Sequence, residues 1–126
     1  MSEEVLIPTE FIRHKRLLRA ALLEDQCWFC GHDLGWLIGS PHLAERVERN
    51  LDDDQFRRAW LRDGSGDYVD ELLISESAVY AALIHFFHPE NRSVRQWLSQ
   101  QVIPTLRDLH RSDLGDPRRR ILRGPT

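Results

Sequence analysis

Apolar residues change their spacing along the chain, and each spacing predicts a different element. Residues 16–24, Arg-Leu-Leu-Arg-Ala-Ala-Leu-Leu-Glu, are all good helix formers. The aromatic Cys27-Trp28-Phe29-Cys30 is strand-like, and Glu24-Asp25-Gln26 reads as a turn, so a hairpin over about 12–30 competes with a helix. Asp33 suits the N-cap of a short helix, Leu34 to Ile38, that Gly39 stops. Ser40-Pro41 restarts a helix to about Asn50, with Leu43, Val47 and Leu51 on its apolar stripe.

Phe56–Trp60 and Tyr68–Ile74 then read as two strands joined through Gly64-Ser-Gly66. Ser75 caps a third helix in which Val79, Leu83 and Phe86 recur at helical spacing, and His88-Pro89 ends it. A fourth helix begins near Asn91 and buries Val94, Trp97, Leu98 and Val102; Pro104 kinks it or begins a final short helix through His110. Strands, helices, hairpin, helices is an α+β order: a small antiparallel sheet packed against several short helices. Residues 1–9 are expected as a flexible N-terminus, 10–112 as one domain and 113–126 as a basic, flexible tail.

Composition changes this picture little. The 126 residues are 41% hydrophobic and 29% charged, which is ordinary for a globular domain. No apolar run reaches the length of a membrane span and residues 1–10 lack a signal-peptide pattern, so a cytoplasmic protein with no membrane partner is expected. Charge says more. Lys15 is the sole lysine among 17 basic residues, and the net charge is −3. Codon bias would explain the arginine excess; so would a need for bidentate phosphate or base contacts.

Arg13, Lys15, Arg16 and Arg19 crowd the first predicted strand, and Arg118, Arg119, Arg120 and Arg123 fill the tail. Asp52, Asp53 and Asp54, then Asp63, Asp67, Asp70 and Glu71, make an acidic middle. Segregation of this kind suits a basic face for phosphates and an acidic face for a protein partner. The pair of short helices around Gly39-Ser-Pro has the outline of a helix-turn-helix, with His42, Arg46 and Arg49 on one side of the second helix and Glu45 and Glu48 interleaved.

Other chemistry finds weaker support. Cys27-x-x-Cys30-Gly resembles a zinc knuckle that His85-x-x-His88 would complete, but the intervening gap is long for a finger. If 27–30 is a strand, the two thiols face opposite ways and behave as core cysteines. There is no nucleophile elbow, glycine-rich phosphate loop or H-E-x-x-H helix, and Asp52–Asp54 lacks EF-hand spacing; no enzyme activity, metal or cofactor is expected.

Three strings, in order, resemble the Bro-N domain of phage antirepressors. They are WFCGHDLGWLIG at 28–39, LISESAVY at 73–80 and RSVRQWLSQQVIPTLR at 92–107. Trp28, Phe29, Asp33, Gly39, Ser75, Glu76, Tyr80, Trp97 and Pro104 carry the likeness, whereas Ala78 replaces a usual glycine and Gln101 a common acid. The resemblance implies strands rather than a helix over 12–30. It also implies a nucleoid-associated, prophage-type regulator that binds double-stranded DNA. A solitary domain of this kind resembles small positive regulators that act by antitermination on RNA polymerase. Its implied DNA contacts are Arg13, Lys15, Arg16, Arg19, His42, Arg46, Arg49, Arg92, Arg95, Arg118, Arg119 and Arg120. Asp52, Asp53, Asp54, Asp70 and Glu71 are left for a protein partner, and a homodimer is compatible with it. A competing expectation is an antirepressor that binds a repressor protein without reading DNA.

Overall fold

Burial along residues 16–30 decides the first ambiguity. In the computed structural model, which describes residues 5–40, 42–50, 52–85 and 89–115, the helix-prone stretch is strand β3, Arg16–Leu23. Leu18 and Ala20 point to one face and are fully buried there, opposite Phe11 on β2 (Thr9–Arg13) and Phe29 on β4 (Gln26–Cys30). Helix propensity differs among residues by only a few tenths of a kcal/mol, about a tenth of the gain from burying one leucine. The connecting turns are two residues each, His14-Lys15 (φ 52° and 66°) and Glu24-Asp25 (φ 52° and 65°). Consecutive left-handed residues match the twist of flanking strands; here non-glycine side chains accept that geometry at roughly 1–2 kcal/mol apiece.

The sheet has six strands in the order β1-β5-β6-β4-β3-β2, where β1 is Val5–Leu6, β5 is Phe56–Arg62 and β6 is Tyr68–Ser75. All pairs are antiparallel except β1 with β5, which runs parallel. Residues 5, 6 and 9, expected in a flexible N-terminus, are therefore sheet residues, because Leu6 packs beside Leu61 and Trp28.

Helices cover one face. Phe29, Leu18, Ala20, Leu72 and Ile74 meet Leu34 and Leu37 of α1 (Gly31–Leu37), Leu43 of α2 (Leu43–Asn50) and Val79 of α3 (Glu76–His85). The same core takes Val94 of α4 (Asn91–Trp97) and Leu106 of α5 (Ile103–Gly115). Val79 and Leu83 hold the expected buried stripe of α3, and the Ser75 hydroxyl accepts from Ala78 N at 3.3 Å as its cap. Phe86 and His88 lie outside the described residues, as do Leu51 and Pro41.

Three details differ from expectation. Helix α1 begins at Gly31, three residues early, because β4 runs straight into it; Cys30 occupies the N-cap and Asp33 sits in the first turn with its carboxylate turned elsewhere. Pro104 does not kink a continuous fourth helix but sits in the first turn of a final one, α5. Leu98–Val102 forms a π-helical turn between α4 and α5, widening the backbone where proline has no N–H to donate. Helix α5 runs on to Gly115, so residues 113–115 are helical rather than tail.

The opposite face of the sheet carries a smaller cluster of Trp28, Cys30, Ala59, Leu61 and Leu73. Cys27 belongs to the helical core and Cys30 to this second cluster, so the two thiols cannot share a metal. Beyond this cluster, Ile12 and Leu17 face each other across β2 and β3, 71% and 38% exposed. No helix among the described residues is long and apolar enough to cross a membrane.

Candidate nucleic-acid interface

The candidate basic residues separate into two groups of opposite fate. Arg19 is turned inward, only 8% exposed. Its Nε donates to Asp33 Oδ2 at 2.8 Å and its Nη2 to Asp33 Oδ1 at 3.1 Å, to Glu71 Oε2 at 2.9 Å and to Cys30 Sγ at 3.3 Å. The Arg19 backbone N–H also donates to Asp33 Oδ2, at 2.9 Å. Hydrogen bonding to Asp33 raises the guanidinium pKa further still, against the opposing effect of burial.

The ion cluster ties β3, α1 and β6 together, which corrects two expectations. Arg19 is a structural cation rather than a phosphate contact, and Glu71 is its half-buried counter-ion rather than open surface for a partner. Asp33, read as a helix cap, serves as Arg19's main acceptor. Burial pushes the Cys30 thiol beside them up to about 12, and raises Cys27 as well, so neither is a thiolate at neutral pH.

Arg13, Lys15 and Arg16 meet the other fate. The tight His14-Lys15 turn projects this basic tip from the sheet, and His14, Lys15 and Arg16 are exposed. Arg13 Nη2 donates to Ser93 Oγ on α4 at 2.8 Å, and Arg16 Nη1 to the carbonyl oxygen of Trp36 at 2.8 Å. Between them lies a cleft of about 400 Å3, lined by Arg13, His14, Arg16, Trp36, Gly39 and Glu90 among others. Trp36 is 49% exposed, unusually open for an indole. Its Nε1–H donates to His32 Nε2 at 3.1 Å, and the two rings meet edge to face with centroids 6.3 Å apart. The ring, held at its edge by His32, presents an aromatic surface beside three cationic or titratable side chains.

Sequence reasoning missed His14, His32 and Trp36. The i, i+4 spacing of His32 and Trp36 carries the signal, since that interval stacks side chains on one helix face.

The helix pair expected from Gly39-Ser-Pro is present. Gly39 takes φ +70° after α1, and Ser40 N donates to Gly35 O at 2.7 Å. A Cβ at Gly35 would overlap the Ser40 carbonyl oxygen and come within 3.2 Å of Leu43 Cβ, so glycine there is what allows α2 to approach α1. His42, Arg46 and Arg49 are exposed along α2, with His42 Nδ1 3.2 Å from Glu45 Oε2. Arg92 and Arg95 are exposed on α4, Arg92 one residue from the Ser93 that receives Arg13. Arg118, Arg119 and Arg120 lie outside the described residues.

Among the acidic candidates, Asp70 pairs with Arg58 at 3.6 Å and stays half exposed. Asp52, the N-cap of the 3-10 turn Asp53–Gln55, and Asp54 within that turn are exposed, and Asp52 N donates to the Gln55 side chain at 3.2 Å. Of the motif residues, Trp28 and Phe29 are buried, and Trp97 meets Phe11 edge to face at 6.5 Å. Glu76 pairs with Arg107 at 3.5 Å beside half-buried Tyr80, whose hydroxyl burial pushes up in pKa. Arg57 lies over the Trp28 ring at 5.1 Å. No protein-family model, curated protein or solved structure matches the chain.

Proposed function

We propose that the chain is a DNA-binding transcription regulator of the Bro-N type that the sequence resembles, acting positively by antitermination on RNA polymerase. The observation that supports DNA binding is the β2–β3 tip. There, Arg13, Lys15 and Arg16 are concentrated by a two-residue turn in a protein of net charge −3, which gives a local phosphate-binding patch on an otherwise acidic molecule. In this reading the exposed Arg46 and Arg49 of α2 lie on the helix offered to the groove, and Asp52, Asp54 and Asp70 remain for the polymerase.

Selection from random duplexes at moderate salt, followed by salt titration of the selected site, tests the reading. One enriched motif is expected. Because each neutralised phosphate contributes about 0.9 to the slope of log K against log salt, the triple variant Arg13→Ala, Lys15→Ala, Arg16→Ala should flatten that slope by roughly 2 to 3. Enrichment of nothing, or an unchanged slope, rejects the proposal. A second reading, an antirepressor that binds a repressor protein, has its own support in the exposed apolar pair Ile12 and Leu17, on the face of the sheet that no described helix covers. Under it, random-duplex selection returns no motif.

A further inference from the structure

We infer that the cleft at the β2–β3 tip takes one unpaired nucleotide of DNA, its base stacked on Trp36 and its phosphate held by Arg16 and its neighbours. The inference rests on the reading of the chain as a DNA binder and says how this part of it binds. In a matched duplex both faces of every base are already occupied by stacking, so an exposed tryptophan beside phosphate-binding cations gains little there. An unstacked base offers a free face of matching size.

Three features of the cleft fit that ligand. Its volume, about 400 Å3, lies in the range of small-molecule sites. The indole is half exposed, but its Nε1–H is tethered to His32, which lessens the side-chain entropy lost when a base stacks. Arg13, His14 and Arg16 line the cleft, where a phosphate belongs, and Glu90 lines it too, its Oε2 accepting from Ser93 Oγ at 3.1 Å. The Arg13–Ser93 bond anchors the tip to α4, so the cation wall does not depend on the ligand to be formed.

Anisotropy titrations of a fluorescein-labelled oligonucleotide test this in four forms: single-stranded DNA, its matched duplex, the same duplex with one unpaired central base, and single-stranded RNA. Wild type, Trp36→Ala and Trp36→Phe are compared, with circular dichroism confirming that each is folded. Single-stranded DNA and the duplex with the unpaired base should lose about 5- to 100-fold in affinity on Trp36→Ala, with most of it restored by Trp36→Phe. Binding of the matched duplex should change less than about twofold.

Equal binding of the single strand by wild type and Trp36→Ala overturns the inference while leaving duplex recognition standing. Binding of none of the four probes overturns both. Trp36-dependent binding confined to RNA upholds the unpaired-nucleotide site and overturns the assignment of DNA as the partner.

Discussion

Substituting Asp33 by alanine should destabilise this protein more than its place on a seven-residue helix suggests. The carboxylate is 8% exposed and accepts three hydrogen bonds from Arg19, two from the guanidinium at 2.8 and 3.1 Å and one from the backbone N–H at 2.9 Å. Without it the guanidinium keeps Glu71 at 2.9 Å and a thiol at 3.3 Å, and the backbone N–H loses its carboxylate acceptor. Breaking a buried pair by removing one partner costs about 3–5 kcal/mol, most of it the penalty of a buried charge left under-compensated. We expect a loss of about 4 kcal/mol, a large fraction of the 5–15 kcal/mol typical of a domain.

Urea unfolding followed by tryptophan fluorescence reads this loss directly. With a slope of about 1–3 kcal/mol per molar, the midpoint should fall by roughly 2 M with the slope unchanged. The double variant Arg19→Met, Asp33→Leu removes charge and counter-charge together and should recover more than half of the loss, because Glu71 is partly exposed and can be hydrated. A cost below about 1 kcal/mol for Asp33→Ala would refute the reasoning. It would mean that Arg19 reaches water easily and that the ion cluster does not hold β3, α1 and β6 together.

Two further outcomes follow from the same structure. Stability should fall as pH rises above about 9. Both buried thiols have folded pKa values raised above the unfolded value of 9.0, so the unfolded chain loses their protons first and the stabilisation present below pH 9 is lost as pH rises, for Cys30 up to about 12. Cys30 contributes up to about 1.4 kcal/mol per pH unit between pH 9 and 12, so Cys30→Ala should flatten the fall in urea midpoints measured from pH 8.5 to 10.5. Gly35→Ala should cost about 1–3 kcal/mol by forcing α2 away from α1, read as a lower thermal midpoint, and should weaken any DNA contact made through Arg46 and Arg49.

Much of the secondary structure was legible from local pattern. The β5–β6 hairpin, the Ser75 cap, the Asn91 helix start and the opposed directions of Cys27 and Cys30 all follow from periods of two or 3.6 and from capping chemistry, which act over a few residues. The strand at 16–23 was not legible in that way. Leucine, alanine and arginine prefer helix; the turn at 24–26 left a hairpin as the competing reading, and the likeness to a strand-containing family favoured it. The candidate site was half legible: Arg13, Lys15 and Arg16 stood out by charge, whereas Trp36 stood out only once the hairpin tip was seen beside it.

By itself the sequence determined an α+β chain with a basic segment near its start, because composition, charge order and residue periodicity are properties of neighbours along the chain. Only the tertiary structure decided which cations are available. Four basic residues between positions 13 and 19 look alike in sequence, yet Arg19 is buried against Asp33, 14 residues on, and Glu71, 52 residues on. The other three sit around a two-residue turn at the protein surface. The difference arises from strand alternation and from the pairing of β3 with β4 and of β4 with β6. Together these pairings bring two distant carboxylates within 3 Å of a buried guanidinium, a coincidence that no local pattern encodes.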